Sequence, residues 1–147
     1  MRKKAVIIWA LIALGSRWAS AQQPDDQLRG MLFPPELVMQ NQQALGLSDD
    51  QKAYFKAEIR QVQTRFEDLQ WKVEGEMEKM VSLAKQPRVD EAQTLAQLEK
   101  VLGLEREIKR AQITLFIRIK NKLTVEQQAR LRALEALREI QSKPAVK

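Results

Sequence analysis

Three helix starts are written into this chain in one chemistry, and they divide it before any other feature is weighed. Ser48-Asp49-Asp50-Gln51, Asp90-Glu91-Ala92-Gln93 and Thr124-Val125-Glu126-Gln127 each set a capping residue three positions ahead of a glutamine. The cap oxygen accepts from a backbone N–H of the first turn, and the glutamine reaches back to the cap's own N–H. Asp49, Asp50, Glu91 and Glu126 add negative charge at the positive ends of the helix dipoles. Ser48, Gln51, Asp90, Gln93, Thr124 and Gln127 are therefore read as structural caps.

Each box opens a periodic apolar segment. From Ser48 to about Lys85 the apolar residues are Phe55, Ile59, Val62, Phe66, Leu69, Val73, Met77, Met80 and Ala84, stepping mostly by three and four. That narrow seam predicts one helix, roughly 55 Å long at ~1.5 Å per residue, lying on a partner. Pro87 ends it, because the residue before a proline avoids helical geometry.

The next helix is expected from Asp90 to about Lys122, with a seam of Val101, Leu104, Ile108, Ala111, Leu115 and Ile119. A second stripe, Leu102, Ile113, Phe116 and Ile117, is interleaved with Arg106, Lys109, Arg110 and Lys120. A helix apolar on two sides has two partners. One is the preceding helix, reached through the turn at Pro87; the other is the last helix, a second subunit or a client.

A last helix from Thr124 to Ser142 is expected to bury Leu131, Leu134, Leu137 and Ile140. Ahead of the long pair, Pro34-Pro35 suits the first turn of a short helix running to Leu45, with Gly46 as its stop. Nothing in the chain reads as a strand. The expected fold is all-α: a long antiparallel helical hairpin with short first and last helices.

The N-terminus predicts where the chain works. Arg2, Lys3 and Lys4 precede an apolar run from Ala5 to Gly15, and Ala19-Ser20-Ala21 supplies the small residues a signal peptidase reads. Residues 1–21 form the expected signal peptide, cut before Gln22; the competing reading is an uncleaved anchor. Residues 22–31 are polar and read as a flexible arm, 32–142 as the helical domain and 143–147 as a tail. The run is short for a bilayer span.

Cleavage also changes the electrostatics. The chain carries a net +6, and the signal segment takes away four bases and no acids, leaving +2. The basic precursor is thus no argument for nucleic acid. The remaining charge is uneven: residues 22–103 hold 10 bases and 14 acids, residues 104–147 hold 11 bases and 5 acids. The basic end suits anionic partners or an acidic surface on a second copy.

Enzymatic chemistry has little to work with, and no cofactor is implied. There is no cysteine and no histidine, which removes the usual nucleophile–base pairs and the commonest transition-metal ligand. Beyond residue 21 the serines are Ser48, Ser82 and Ser142, and Ser48 is a cap. Glu74 and Glu78 stand one turn apart, as a solvated helix face does. Met77 and Met80, with Glu76 and Glu78 beside them, could offer thioether and carboxylate ligands, but both methionines fall on the seam, where methionine fills core gaps. Met31 and Met39 have no neighbouring ligand. Trp71 falls off the seam beside Glu67, Glu74 and Glu78. It either marks a contact surface or packs under the N-terminal arm or the last helix.

Leu47-Ser48-Asp49-Asp50-Gln51 and Leu123-Thr124-Val125-Glu126-Gln127 are two copies of a leucine-threonine/serine-x-x-glutamine signature. With the signal segment, the hairpin and Pro34-Pro35-Glu36-Leu37, the chain resembles the Spy/CpxP family of periplasmic proteins and the metal-resistance and metal-sensor proteins of the same fold. The likeness covers about Leu32 to Ser142. It implies a hairpin that dimerises into a curved cradle and binds unfolded or aggregating envelope proteins without ATP, or controls a membrane stress sensor. The chain departs from the metal-sensing relatives in lacking their ligand histidines. That leaves a periplasmic chaperone or stress adaptor in front of a metal-responsive protein using methionine and carboxylates; a purely structural envelope protein is the third reading. The candidate client surface is Ile113, Phe116 and Ile117 with Arg106, Arg110 and Lys120, and Trp71 is next in line. The competing assignment for that stripe is burial under the last helix or in a homodimer interface.

Overall fold

A computed structural model describes residues 28 and 30–142. The signal segment, most of the 22–31 arm and the 143–147 tail lie outside the described residues, and the compact unit begins at Leu32. Four helices follow: α1 (Pro35–Gln40), α2 (Asp49–Ala84), α3 (Glu91–Lys122) and α4 (Val125–Ser142). The described residues contain no strand, and none of their helices is long and apolar enough to cross a membrane.

α1 opens with Pro35 in its first turn, where a missing N–H costs nothing. It stops earlier than the expected Leu45. The Asn41 side-chain amide donates to the Leu37 carbonyl at 2.7 Å, giving the chain a local alternative to the next helical bond. The path then winds through turns to Gly46, whose φ of +60° is a conformation glycine adopts without steric cost.

α2 and α3, of 36 and 32 residues, form the hairpin. Three cross-helix contacts fix its antiparallel sense: Arg118 to Glu58 at 2.7 Å, Arg65 to Glu107 at 3.3 Å, and Gln97 to the Glu76 carboxylate at 2.6 Å. As the number on α2 rises, its partner's number on α3 falls.

The core lies at one end of this hairpin. Phe33, Val38, Leu45 and Leu47 wedge against Phe55 of α2 and Leu115, Phe116 and Ile119 of α3, and Leu131 of α4 closes the cluster. Arg130 donates to the Ala44 carbonyl at 3.0 Å, so α4 lies back over the α1–α2 connection. From Phe66 to the Pro87 turn and back to Leu104, the hairpin stands as two helices. The side chains buried there, among the described residues, are Leu69, Gln97 and Val101.

α4 corrects one expectation. Leu131 is fully buried and Leu134 half-buried, but Leu137 and Ile140 are exposed. At about 100° per residue, each step of three falls about 60° short of a full turn. Three such steps, with no step of four to compensate, carry Ile140 to the opposite side from Leu131.

Candidate functional site

The two signature motifs meet. Leu47 and Leu123 are both in the core, and each positions the cap that follows it. At α2 the box closes completely: the Gln51 N–H donates to Ser48 Oγ and the Ser48 N–H to Gln51 Oε1, both at 3.1 Å. At α4 the Gln127 N–H donates to Thr124 Oγ1 at 3.2 Å and the Thr124 N–H to Gln127 Oε1 at 2.9 Å. Asp90 accepts from the Gln93 N–H at 2.9 Å, but there the helix start is a simple cap.

Gln51 and Gln127 do more than cap. They are 8% and 9% exposed, and their amides pair reciprocally. Gln51 Nε2 donates to Gln127 Oε1 at 2.8 Å, and Gln127 Nε2 donates to Gln51 Oε1 at 3.0 Å. The second N–H of Gln51 goes to the Lys122 carbonyl at 2.9 Å; that of Gln127 goes to the Leu45 carbonyl at 3.4 Å. Each amide thus fills both lone pairs and both N–H groups, which is what a buried amide requires. The pair clasps the starts of α2 and α4, the end of α3 and the turn before α2.

The stripe singled out on α3 does not form one surface. Phe116 is 6% exposed and belongs to the core, so little of its ring is open to a client. Ile113 is half-buried and Ile117 is 44% exposed. Arg106 reaches a groove with Lys72, Lys100 and Leu104. Arg110 lines another with Arg65 and Arg118. Lys120 is half-buried. Trp71 is 75% exposed. It stands about 200° around α2 from Leu69, on the back of the hairpin, and α4 does not cover it.

Other exposed apolar residues, of which the stripe included only Leu102, lie on the bare half of the hairpin. Phe66, Met77 and Val81 on α2, and Leu95 and Leu102 on α3, are all exposed. Their spacings of eleven, four and seven residues keep each set near one line along its helix. Towards the core, Pro35, Ile59, Phe66, Leu115 and Phe116 line a groove of mixed character together with Glu36, Glu67 and Gln112. For Phe66 and Met77 the signal missed was the α2 seam itself, whose far end outruns the partners that could cover it; Val81 and Leu95 fall on neither the seam nor the stripe.

Electrostatics on this arm are local. The Glu76 carboxyl is held below the usual carboxylate range, first by its hydrogen bond with Lys79 and then by that with Gln97. At the other end, burial and the nearby Glu139 raise Glu135. Among the described residues no three His, Cys, Asp or Glu side chains converge as metal ligands. Of the two carboxylates flanking Met77, that of Glu76 is engaged by Lys79 and Gln97, and Met77 is exposed.

A capped helical hairpin with a doubled leucine-threonine/serine-x-x-glutamine signature defines an all-α protein of the Spy/CpxP-like class. The chain belongs to the heavy-metal resistance family, which matches residues 5–130. No curated protein and no solved structure matches it.

Proposed function

We propose that the mature chain is a periplasmic, non-enzymatic holder of unfolded or aggregation-prone envelope proteins, acting without ATP and as a homodimer, with a membrane stress-sensor domain as a further partner. The exposed apolar residues Phe66, Met77 and Val81 of α2 and Leu95 and Leu102 of α3, on a hairpin half with little core of its own, carry this reading. Apolar patches of that extent mark interaction surfaces. Two helices alone bury little, so the arm gains stability from whatever it holds.

The test is aggregation of a chemically denatured client, followed by light scattering with no nucleotide present. The mature protein is expected to suppress scattering at near-equal concentration. Replacing Met77, Val81, Leu95 and Leu102 together by serine is expected to abolish most of that suppression. Because all four are exposed, each substitution is expected to change stability by about 0.5 kcal/mol or less. Undiminished suppression by the variant would place the client elsewhere, with Trp71 the next residue to replace.

Mass in solution separates the dimer from the client surface. The native chain is expected to scatter as a dimer at tens of micromolar. A monomeric serine variant would make these residues the dimer seam rather than the client site. The family's description favours a second reading, a metal-responsive protein. A melting shift with added metal, without any suppression of aggregation, would select it.

A further inference from the structure

Between α2 and α3 runs a groove in which Gln61, Arg65, Glu107, Arg110, Thr114 and Arg118 stand beside the apolar Val62 and Ala111. We propose that this groove binds a phosphate-bearing anion. Two opposed ion pairs frame it. Arg65 meets Glu107 at 3.3 Å towards one end, and Arg118 meets Glu58 at 2.7 Å towards the other. Between them Arg110, Thr114 and Gln61 face the opening, and none has a hydrogen-bond or ion-pair partner among the described residues.

Charge and donor count choose the ligand. The groove and its two ion pairs hold three guanidinium groups against the carboxylates of Glu107 and Glu58, a surplus of one positive charge carried by Arg110. Guanidinium pairs with oxyanions through two parallel N–H bonds, and is the group used where planar, paired recognition matters. A lone carboxylate has two oxygens, too few for Arg110, Arg65 and Arg118 together with the Thr114 hydroxyl. A phosphate group presents more oxygens and more charge. The Arg65 and Arg118 side chains are 61% and 47% exposed, so both have room to turn from their glutamates towards a ligand. The groove volume of about 510 Å³ lies within the range of small-molecule sites. Family membership and the client surface play no part in this inference, and failure of either leaves it standing.

The probes are tripolyphosphate, citrate and vesicles of phosphatidylglycerol, titrated into the mature protein at physiological salt. Tripolyphosphate is expected to bind at one saturable site by calorimetry. Arg110→Gln is expected to weaken it about tenfold or more, as loss of a charge-assisted, paired contact does. Lys56→Gln, an exposed cation elsewhere on α2, is the control for net charge and is expected to leave the affinity unchanged. Equal weakening by both variants would reduce the effect to general screening and overturn the site. Citrate binding as tightly as tripolyphosphate would overturn the phosphate assignment, and no saturable binding of any probe would overturn the proposal. Vesicle binding that Arg110→Gln abolishes, with tripolyphosphate inert, would keep the site and place the phosphate in a lipid headgroup. Circular dichroism of Arg110→Gln is expected to match the native chain, because the residue is exposed and bonds to nothing in the fold.

Discussion

Phe116→Ala is expected to cost about 3–5 kcal/mol of stability, and its neighbour Ile117→Ala no more than about 0.5 kcal/mol. The two stand side by side on α3 and look alike in a pattern of apolar residues. Phe116 is packed in the cluster with Phe55, Leu115 and Ile119, so truncating its ring leaves a cavity that rigid helices close only in part. Ile117 faces solvent. Urea unfolding of the two variants measures the difference directly. The aggregation assay is expected to be indifferent to both: neither side chain is on the exposed set carried by the far half of the hairpin, and Phe116→Ala, assayed where it stays folded, keeps its activity. A Phe116→Ala variant that unfolds like the native chain and fails to hold clients would put the ring back on a binding surface.

What the sequence makes legible here is what local chemistry decides. The starts of α2, α3 and α4 follow from Ser48, Asp90 and Thr124, because a cap acts within one turn and needs no distant partner. The long seam and the Pro87 turn make the hairpin legible for the same reason. Errors come where a distant or competing group decides. α1 ends at Gln40 because the Asn41 amide takes the Leu37 carbonyl, a competition that the spacing of apolar residues cannot show. Leu137 and Ile140 read as buried from steps of three, although the helix carries them around to solvent. On the stripe of α3, burial of Phe116 depends on where α1 lies, and α1 is joined to the hairpin by turns with no periodic pattern. The groove of the three arginines is hidden for a similar reason: Arg65 and Arg118 come from different helices, and only the hairpin's register brings them to Arg110.

The paired glutamines are the clearest case of a residue read for half of its role, and a signal for the other half was present. Glutamate closes a capping box as well as glutamine does. Both signature motifs use glutamine, the one whose amide can still donate after its oxygen accepts the cap N–H. Gln51 and Gln127 each need that donor for the other. Gln51→Ala and Gln127→Ala are each expected to cost about 1–3 kcal/mol, because each leaves a buried amide with empty positions. The double variant is expected to cost less than the two summed, by about 1 kcal/mol, since the second truncation removes a partner already lost. Strict additivity would show two independent caps.

Gln51→Glu sharpens the test. It keeps the oxygen that accepts from Ser48 but turns a carboxylate towards the Lys122 carbonyl and Gln127 Oε1, with no N–H to offer either. The expected cost at neutral pH is at the upper end of that range or beyond, as for a buried charge lacking partners. Burial and the facing oxygens favour the protonated acid, so the new carboxyl has a folded pKa above its unfolded one. The variant is then expected to regain stability as the pH falls through that raised folded value, where the acid O–H can donate to one of the two acceptors, and to lose it again as the pH rises. Unfolding midpoints measured from neutral pH down to mildly acid conditions read this directly. A variant whose midpoint falls with the native chain's as pH drops would mean that the Gln51 amide donates nothing the fold requires.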